Sequence, residues 1–262
     1  MRSAMQSSMD VICVCKLSSR CDLNAARGSA TVTKHFGDGT DEDTPGSPAC
    51  FLHELDADGR VGVDRQQARD VARWRKAERA RLLAARLKLT REYRDALTGR
   101  IANSLDGLIP AGDGTIVSAY FPIRAEPDLR PWMHAAHGRG IRIALPVALG
   151  LGHALVFREW HPGVRLARGL WNIPYPAATA EVVPSVLLAP LVGFDPACYR
   201  LGYGGGFFDR TLATIAGAPM VIGVGFPEAS IPTIYPQPHD VPMNWIVTGA
   251  TAPVRANPVR LP

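Results

Sequence analysis

The sequence predicts a three-layer α/β fold, a mostly parallel sheet with helices on both faces. Apolar stretches of buried-strand length at 114–121, 141–147, 155–160, 186–194, 220–226 and 245–248 alternate with stretches of helical spacing. That alternation marks a sheet covered on both sides. Residues 66–89 contain no Gly or Pro and are rich in Arg, Ala and Leu, the composition of a long helix. Four glycines fall within positions 202–206, between the last buried-strand stretch before them and a helical stretch after them.

With 262 residues, 47% of them apolar and 20% charged, the chain has enough material for one large core or two small ones. No apolar run approaches the roughly 20 residues that span a bilayer. The formal charge of +5 suits an anionic small molecule. No Lys/Arg block interleaved with aromatics is present, so nucleic acid is not an expected partner. Cys13, Cys15, Cys21 and Cys50 precede the expected folded domain and Cys198 stands alone within it. That distribution lacks zinc spacing and does not resemble a disulfide framework. Reduced thiols in a cytoplasmic, monomeric protein are expected, with no membrane partner.

Residues 1–48, dominated by Ser, Thr, Gly and Asp, read as a disordered extension. Residues 49–65 read as a docking segment or linker, 66–250 as the α/β domain and 251–262 as a tail. In the helix 66–89, Val71, Trp74, Leu82, Leu83 and Leu87 form an interrupted apolar stripe, and Arg75 and Arg79 share one face. A solvent-exposed basic face explains that spacing as readily as a ligand site does. Thr90 is a suitable N-cap, with acidic Glu92 behind it, for a second helix to about residue 105. A strand at 114–121, a helix at 127–138 and strands at 141–147 and 155–160 follow. Residues 165–176 read as a loop broken by Gly169, Pro174 and Pro176.

The centre of the sequence is Arg200-Leu201-Gly202-Tyr203-Gly204-Gly205-Gly206-Phe207-Phe208-Asp209-Arg210. Glycine admits positive φ and close approach of the backbone, so such a run can aim its N–H groups at an anion. Phe208, Leu212 and Ile215 have helical spacing, and a helix starting just after the glycines would add its own N-terminal amides. Glycines alone fit a surface turn equally well. Arg200 and Arg210 at either side, with a carboxylate at Asp209, favour a phosphate site with a bridging magnesium ion. The run has neither the G-K-[ST] ending of a P-loop nor the G-x-G-x-x-G spacing.

These residues resemble the signature of the 5-formyltetrahydrofolate cyclo-ligase (methenyltetrahydrofolate synthetase) family. The resemblance extends from about residue 73 to 248. Arg75-x-x-x-Arg79 is similar to the family's N-terminal ATP-contacting helix. Tyr120-Phe121-Pro122-Ile123-Arg124-Ala125-Glu126 resembles its folate-side strand and loop, and the segment from His239 and Asp240 to Thr248 its C-terminal part. The resemblance implies a Rossmann-like fold of the NagB/RpiA/CoA-transferase-like kind. It also implies ATP-dependent conversion of 5-formyltetrahydrofolate to 5,10-methenyltetrahydrofolate, with Mg²⁺ accompanying ATP as co-substrate. Carried over by position, Arg75, Lys76 and Arg79, with Arg200, Leu201, Gly202, Tyr203, Gly204, Gly205, Gly206, Phe207 and Phe208, would hold ATP. Asp209 and Asp240 would be the metal carboxylates. Phe121, Glu126, Tyr203 and Phe207 would meet the folate, and Arg200, Tyr203 and Asp209 would act on the reacting groups. Among the aromatics, Phe208 is the one expected in the core, and His239 is expected as a loop hydrogen-bonder. Tyr175 and the pair Met243-Asn244 depart from the family's usual residues. They leave open a related enzyme with another substrate, or a binding protein without catalysis.

Overall fold

The computed structural model describes residues 65–256 apart from 111 and 113. The expected disordered extension 1–48, all of the linker 49–65 except its last residue, and 257–262 of the expected tail lie outside the described residues. Helix α1 (Arg65–Leu87) packs Trp74, Leu82 and Leu83 of the predicted apolar stripe into a core, whereas Leu87 at its end is exposed. Helix α2 (Arg91–Leu108) starts at the predicted cap, where the Thr90 hydroxyl accepts the Tyr93 amide hydrogen, but runs a turn further than expected. Then come β1 (Ile116–Ser118), α3 (Arg130–Gly138), β2 (Arg142–Ala148) and β3 (Leu155–Trp160). The supposed loop at 165–176 is instead an antiparallel pair, β4 (Leu166–Arg168) with β5 (Pro174–Pro176). Prolines flanking Tyr175 suppress the strand signal, although proline is tolerated at sheet edges.

The expected strand 186–194 is divided into β6 (Val186–Pro190) and β7 (Gly193–Phe194), the latter paired antiparallel with β8 (Arg200–Leu201). Helix α4 (Phe207–Thr214), β9 (Met220–Val224), β10 (Trp245–Val247) and β11 (Val254–Arg255) complete the described chain. The last of these lies in the expected tail and pairs antiparallel with β10.

The main sheet has the order β11-β10-β9-β6-β1-β2-β3. Neighbours from β10 to β2 are parallel, while the edges β3 and β11 are antiparallel. Side chains alternate strictly across it. On β6, Val186 and Leu188 enter the core under α2 and α3, with Ile101, Leu105, Trp132 and Met133. Leu187 faces the opposite side, where Leu212 and Ile215 flank it, and Ala189 sits close by with Leu191 and Ile246. The three layers are thus real among the described residues. Helix α1 lies apart from both layers, its Leu82 joined to Val192, Leu201, Ile231 and Ile234. Gly193 is what lets it approach, because a Cβ there would stand 2.7 Å from the Leu82 side chain.

From β1 the chain steps to β2 on one side, then returns to β6 on the other. The carboxyl ends of β1 and β6 therefore diverge at a switch point, where open α/β sheets leave a crevice for ligands.

Candidate functional site

A cleft of about 560 Å³ opens at that switch point. Pro190 at the end of β6, Val147 and Ala148 at the end of β2, and Tyr120 and Phe121 just beyond β1 form part of its lining. Against them stand the glycine turn and two residues of α1, Arg75 and Arg79. The predicted Leu201, Gly202, Tyr203, Gly204, Gly205, Gly206, Phe207 and Phe208 all line this cleft.

The turn is fixed from both ends. Before it, the buried Asp195 carboxylate accepts amide hydrogens from Ala197 (3.1 Å), Tyr199 (3.0 Å) and Ile234 (3.1 Å), shaping the β7–β8 hairpin. After it, the Thr211 hydroxyl accepts the Leu155 amide hydrogen at 2.8 Å and donates to the Phe207 carbonyl at 2.7 Å, which ties α4 to β3. Gly204 and Gly206 have φ of 94° and 64°, a region costly for other residues. Gly206 caps α4 without any side-chain hydrogen bond to the helix. Among the described residues no side chain caps the first amides of α4, and Phe207, Phe208 and Asp209 line the cleft, the arrangement that attracts anions.

Helix α1 aligns Arg75, Arg79, Leu82 and Arg86 along one face. Arg79 donates from Nε to the Gly202 carbonyl at 2.7 Å, and its guanidinium lies beside Gly204. Burial, then the nearby Arg75 charge, push its pKa down against the opposing pull of Asp240. No carboxylate forms an ion pair with it among the described residues. Arg75 is differently engaged. It donates to the Ile234 and Tyr235 carbonyls at 2.9 and 2.8 Å and grips both oxygens of Asp240 at 3.2 and 2.5 Å. It lines the cleft chiefly as an anchor. Lys76 does not belong to the site: it is exposed and absent from the lining, since one helical step turns it about 100° away from Arg75.

Arg200 is buried, with its Nη2 3.0 Å from Asp209 Oδ2 and its guanidinium over the Phe208 ring at 4.8 Å. Its Nε is buried without a hydrogen-bond partner among the described residues. Phe208 also packs against both cores on the α4 side, as expected. Asp209 receives no further hydrogen bond on Oδ1 among the described residues, whereas Asp240 also accepts the Gln237 amide at 2.6 Å. Burial pushes the Asp240 carboxyl up, but the Arg75 and Gln237 hydrogen bonds outweigh it and hold the pKa low. Both carboxylates line the cleft and are hard oxygen donors suited to Mg²⁺. Asp209 has the uncommitted oxygen, while Asp240 already serves Arg75. No cluster of three or more His, Cys, Asp or Glu residues occurs among the described residues. His239, largely exposed, stands 3.8 Å from Asp240 at the cleft edge and makes no hydrogen bond among the described residues.

The opposite wall centres on Glu126, which is 6% exposed. Its Oε2 accepts the Ile123 amide hydrogen at 2.9 Å, and its Oε1 accepts the Tyr203 hydroxyl hydrogen at 2.7 Å. Burial pushes its pKa up, opposed by these bonds and by the charges of Arg86 and Arg124. Burial and the Glu126 charge likewise push the Tyr203 hydroxyl up. Phe121 lies beside Glu126 in the wall, and Phe207 meets Trp171 edge to face with ring centroids 5.4 Å apart. The two departures from pattern separate here. Asn244 is no site residue: its side chain accepts the Val221 amide hydrogen at 2.7 Å and pins β10 to β9. Tyr175 does line the cleft, with the Arg158 guanidinium 5.8 Å from its ring centroid.

Sequence reasoning missed Arg86 and Trp171. Arg86 is buried and donates to Tyr203, to the Arg124 carbonyl and to the Leu191 carbonyl. Its place seven residues after Arg79, on the same helical face, was the available signal. Trp171 lines the cleft from a left-handed turn (φ 55°) between β4 and β5 while remaining 60% exposed. In that loop the sequence drew notice to Tyr175 alone.

Known proteins resemble this chain across the segments that build the cleft. The model of the 5-formyltetrahydrofolate cyclo-ligase family matches residues 71–249. The 5-formyltetrahydrofolate cyclo-ligase of Mycolicibacterium smegmatis is 32% identical over 178 residues, covering 65% of this chain and 91% of that protein. The protein of the same name from Escherichia coli K12 is 32% identical over 134 residues, covering 48% of this chain and 73% of that one. The NMR structure of Aquifex aeolicus 5,10-methenyltetrahydrofolate synthetase superposes with a TM-score of 0.62 at 25% identity, over 72% of this chain and 95% of the other. With a single family spanning α1, the glycine turn and the Asp240 segment, the chain belongs to the 5-formyltetrahydrofolate cyclo-ligase family.

Proposed function

We propose that the cleft holds ATP against the glycine turn and 5-formyltetrahydrofolate against the Glu126 wall, and closes the folate to 5,10-methenyltetrahydrofolate with release of ADP and phosphate. The observation that carries this reading is a shared cavity. An anion cradle of main-chain amides with Arg79 beside it, and a buried carboxylate fit to accept hydrogen bonds from a heterocycle, line the same space.

The chemistry needs little from side chains beyond placement and charge. A formyl oxygen on nitrogen leaves poorly because amide resonance feeds the carbonyl. Its attack on the γ-phosphorus forms a P–O bond, breaks the bond to ADP and turns that oxygen into part of a phosphate leaving group. N10 of the same folate then bonds to the activated carbon, loses its proton and expels phosphate. Ring closure within one bound molecule gains from proximity, and the site's contribution is alignment and charge stabilisation. Arg79 and the α4 amides take the phosphate oxygens, and Arg200 adds positive potential behind Asp209. Tyr203 and Phe207 form the seam between the two ligands. Asp209, with Asp240 as the second carboxylate of the cleft, would hold Mg²⁺, which supplies charge neutralisation to the triphosphate. Arg75 acts through Asp240 and the 234–235 carbonyls, keeping that wall in place.

A Rossmann-like, NagB/RpiA/CoA-transferase-like classification is supported by the reversal of strand order between β1 and β6. Among the described residues no helix is long and apolar enough to cross a membrane. The readings of a cytoplasmic location and a monomer rest on the sequence. The test is absorbance of methenyltetrahydrofolate after mixing the protein with MgATP and 5-formyltetrahydrofolate. Product formation that requires both ligands is expected. Folate binding without product, or ATP hydrolysis only with another acceptor, would refute it.

A further inference from the structure

Tyr203 has a single O–H hydrogen, and a guanidinium can only donate. Arg86 Nη2 lies 2.5 Å from the Tyr203 oxygen, so the hydroxyl accepts there and its hydrogen must go elsewhere. The remaining contact, 2.7 Å from Tyr203 to Glu126 Oε1, takes that hydrogen. The other carboxylate oxygen is already an acceptor, receiving the Ile123 amide hydrogen. With the Tyr203 hydrogen on Oε1 and the Ile123 amide hydrogen on Oε2, both carboxylate oxygens act as acceptors and Glu126 carries no proton.

Arg86 reaches the same loop a second way. Its Nε donates to the Arg124 carbonyl at 3.0 Å and its Nη1 to the Leu191 carbonyl at 2.9 Å. Arg124 and Ala125, just before Glu126, have φ of 48° and 60°, an uncommon left-handed pair without glycine. A buried arginine spending its donors on that turn and on its carboxylate's hydrogen-bond partner does more than fill space.

We infer that Arg86 is a positioning residue which, through the Tyr203 hydroxyl, fixes Glu126 as an unprotonated acceptor in the cleft, so that α1 sets the state of the folate wall as well as contacting the phosphates. The inference rests on the reading of Glu126 as the folate-side acceptor. The groups facing Glu126 are Arg86 from α1, Arg124 from its own loop, Tyr203 from the glycine turn and Tyr120 from the segment after β1. Burial favours protonation of this carboxyl, and the Tyr203 bond and two arginine charges oppose it. Loss of the relay therefore moves protonation to higher pH.

The test is the pH dependence of 5-formyltetrahydrofolate binding to the full chain without nucleotide, for wild type, Arg86→Met, Tyr203→Phe and Glu126→Gln. Wild-type affinity falls as pH drops through the Glu126 titration. In Arg86→Met and Tyr203→Phe the midpoint is expected to rise by about one pH unit, a roughly tenfold weaker complex at pH values below both midpoints. Glu126→Gln removes this pH dependence. ATP affinity of Arg86→Met should stay within about twofold of wild type, which a general collapse of the cleft would not allow. Tyr203→Phe leaves the Arg86 bonds to both carbonyls available, so an unmoved midpoint there overturns the relay even if Arg86→Met folds poorly. A midpoint that moves in Arg86→Met but not in Tyr203→Phe overturns the relay, as does one unmoved in both. Wild-type affinity and profile in Glu126→Gln would overturn the reading of Glu126 itself, and the relay with it.

Discussion

The two walls of the cleft are built on opposite principles. The phosphate wall is mostly backbone: a glycine turn, the uncapped start of α4, and Arg79 with no carboxylate partner among the described residues. Its donors suit an anion. The folate wall is a closed set of side chains, in which Glu126, Tyr203 and Arg86 already satisfy one another. Charged donors left over mark where a strongly anionic ligand supplies the missing half. A satisfied buried network marks where shape and a single acceptor choose among neutral heterocycles.

The largest expected effect probes the charge at the meeting of the walls. Asp209→Asn should lower kcat by about 100-fold or more. It is preferable to alanine because it keeps an acceptor for the buried Arg200. Turnover near wild type would remove Asp209 from the metal role. Next, Arg79→Met should raise the KM for ATP by roughly 10- to 100-fold, the worth of a charge-assisted hydrogen bond, with the folate KM unchanged. Equal loss for both ligands would erase the distinction between the walls. Glu126→Gln should do the reverse, weakening folate by about tenfold while ATP binding holds.

Asp240 also has an effect on stability, apart from its proposed metal role. Its pair with Arg75 is well buried, with side chains 10% and 7% exposed, and Asp240→Asn should cost about 3 kcal/mol of stability. The sign with pH follows from a carboxyl held below its ordinary 3.8. Its stabilisation is present above that value and lost as pH falls through the lower folded value. Thermal unfolding across acid pH should therefore show less acid sensitivity in the variant. Lys76→Ala closes the series, with both KM values within about twofold of wild type. A clear ATP defect would contradict its exposed position.

The same contrast explains what the sequence allowed to be read. A backbone-built site leaves its mark in composition, so glycines at 202–206 between strand and helix are visible without a structure. Helices α1 and α2 were legible too, from an unbroken helix-forming run and from Thr90 as a cap. A network of side chains has no such local trace. Arg86 is one arginine among many on α1, and only the docking of that helix on Gly193 brings it to Tyr203. The β4–β5 pair was hidden by its prolines, and the antiparallel edges β3 and β11 by patterns that carry no direction. Asn244 looked like a departure in the site because neighbours in sequence are in it. Alternation along the chain instead turns its side chain onto the start of β9.

One anchor has a consequence for how the enzyme comes into being. Arg75 finds its carbonyl and carboxylate partners 159, 160 and 165 positions further along the chain. A growing polypeptide therefore cannot lock α1 over the cleft until the Asp240 segment has left the ribosome. Such distant closure is slow to search for, and nascent chains short of that segment should bind nucleotide poorly however well their sheet has formed.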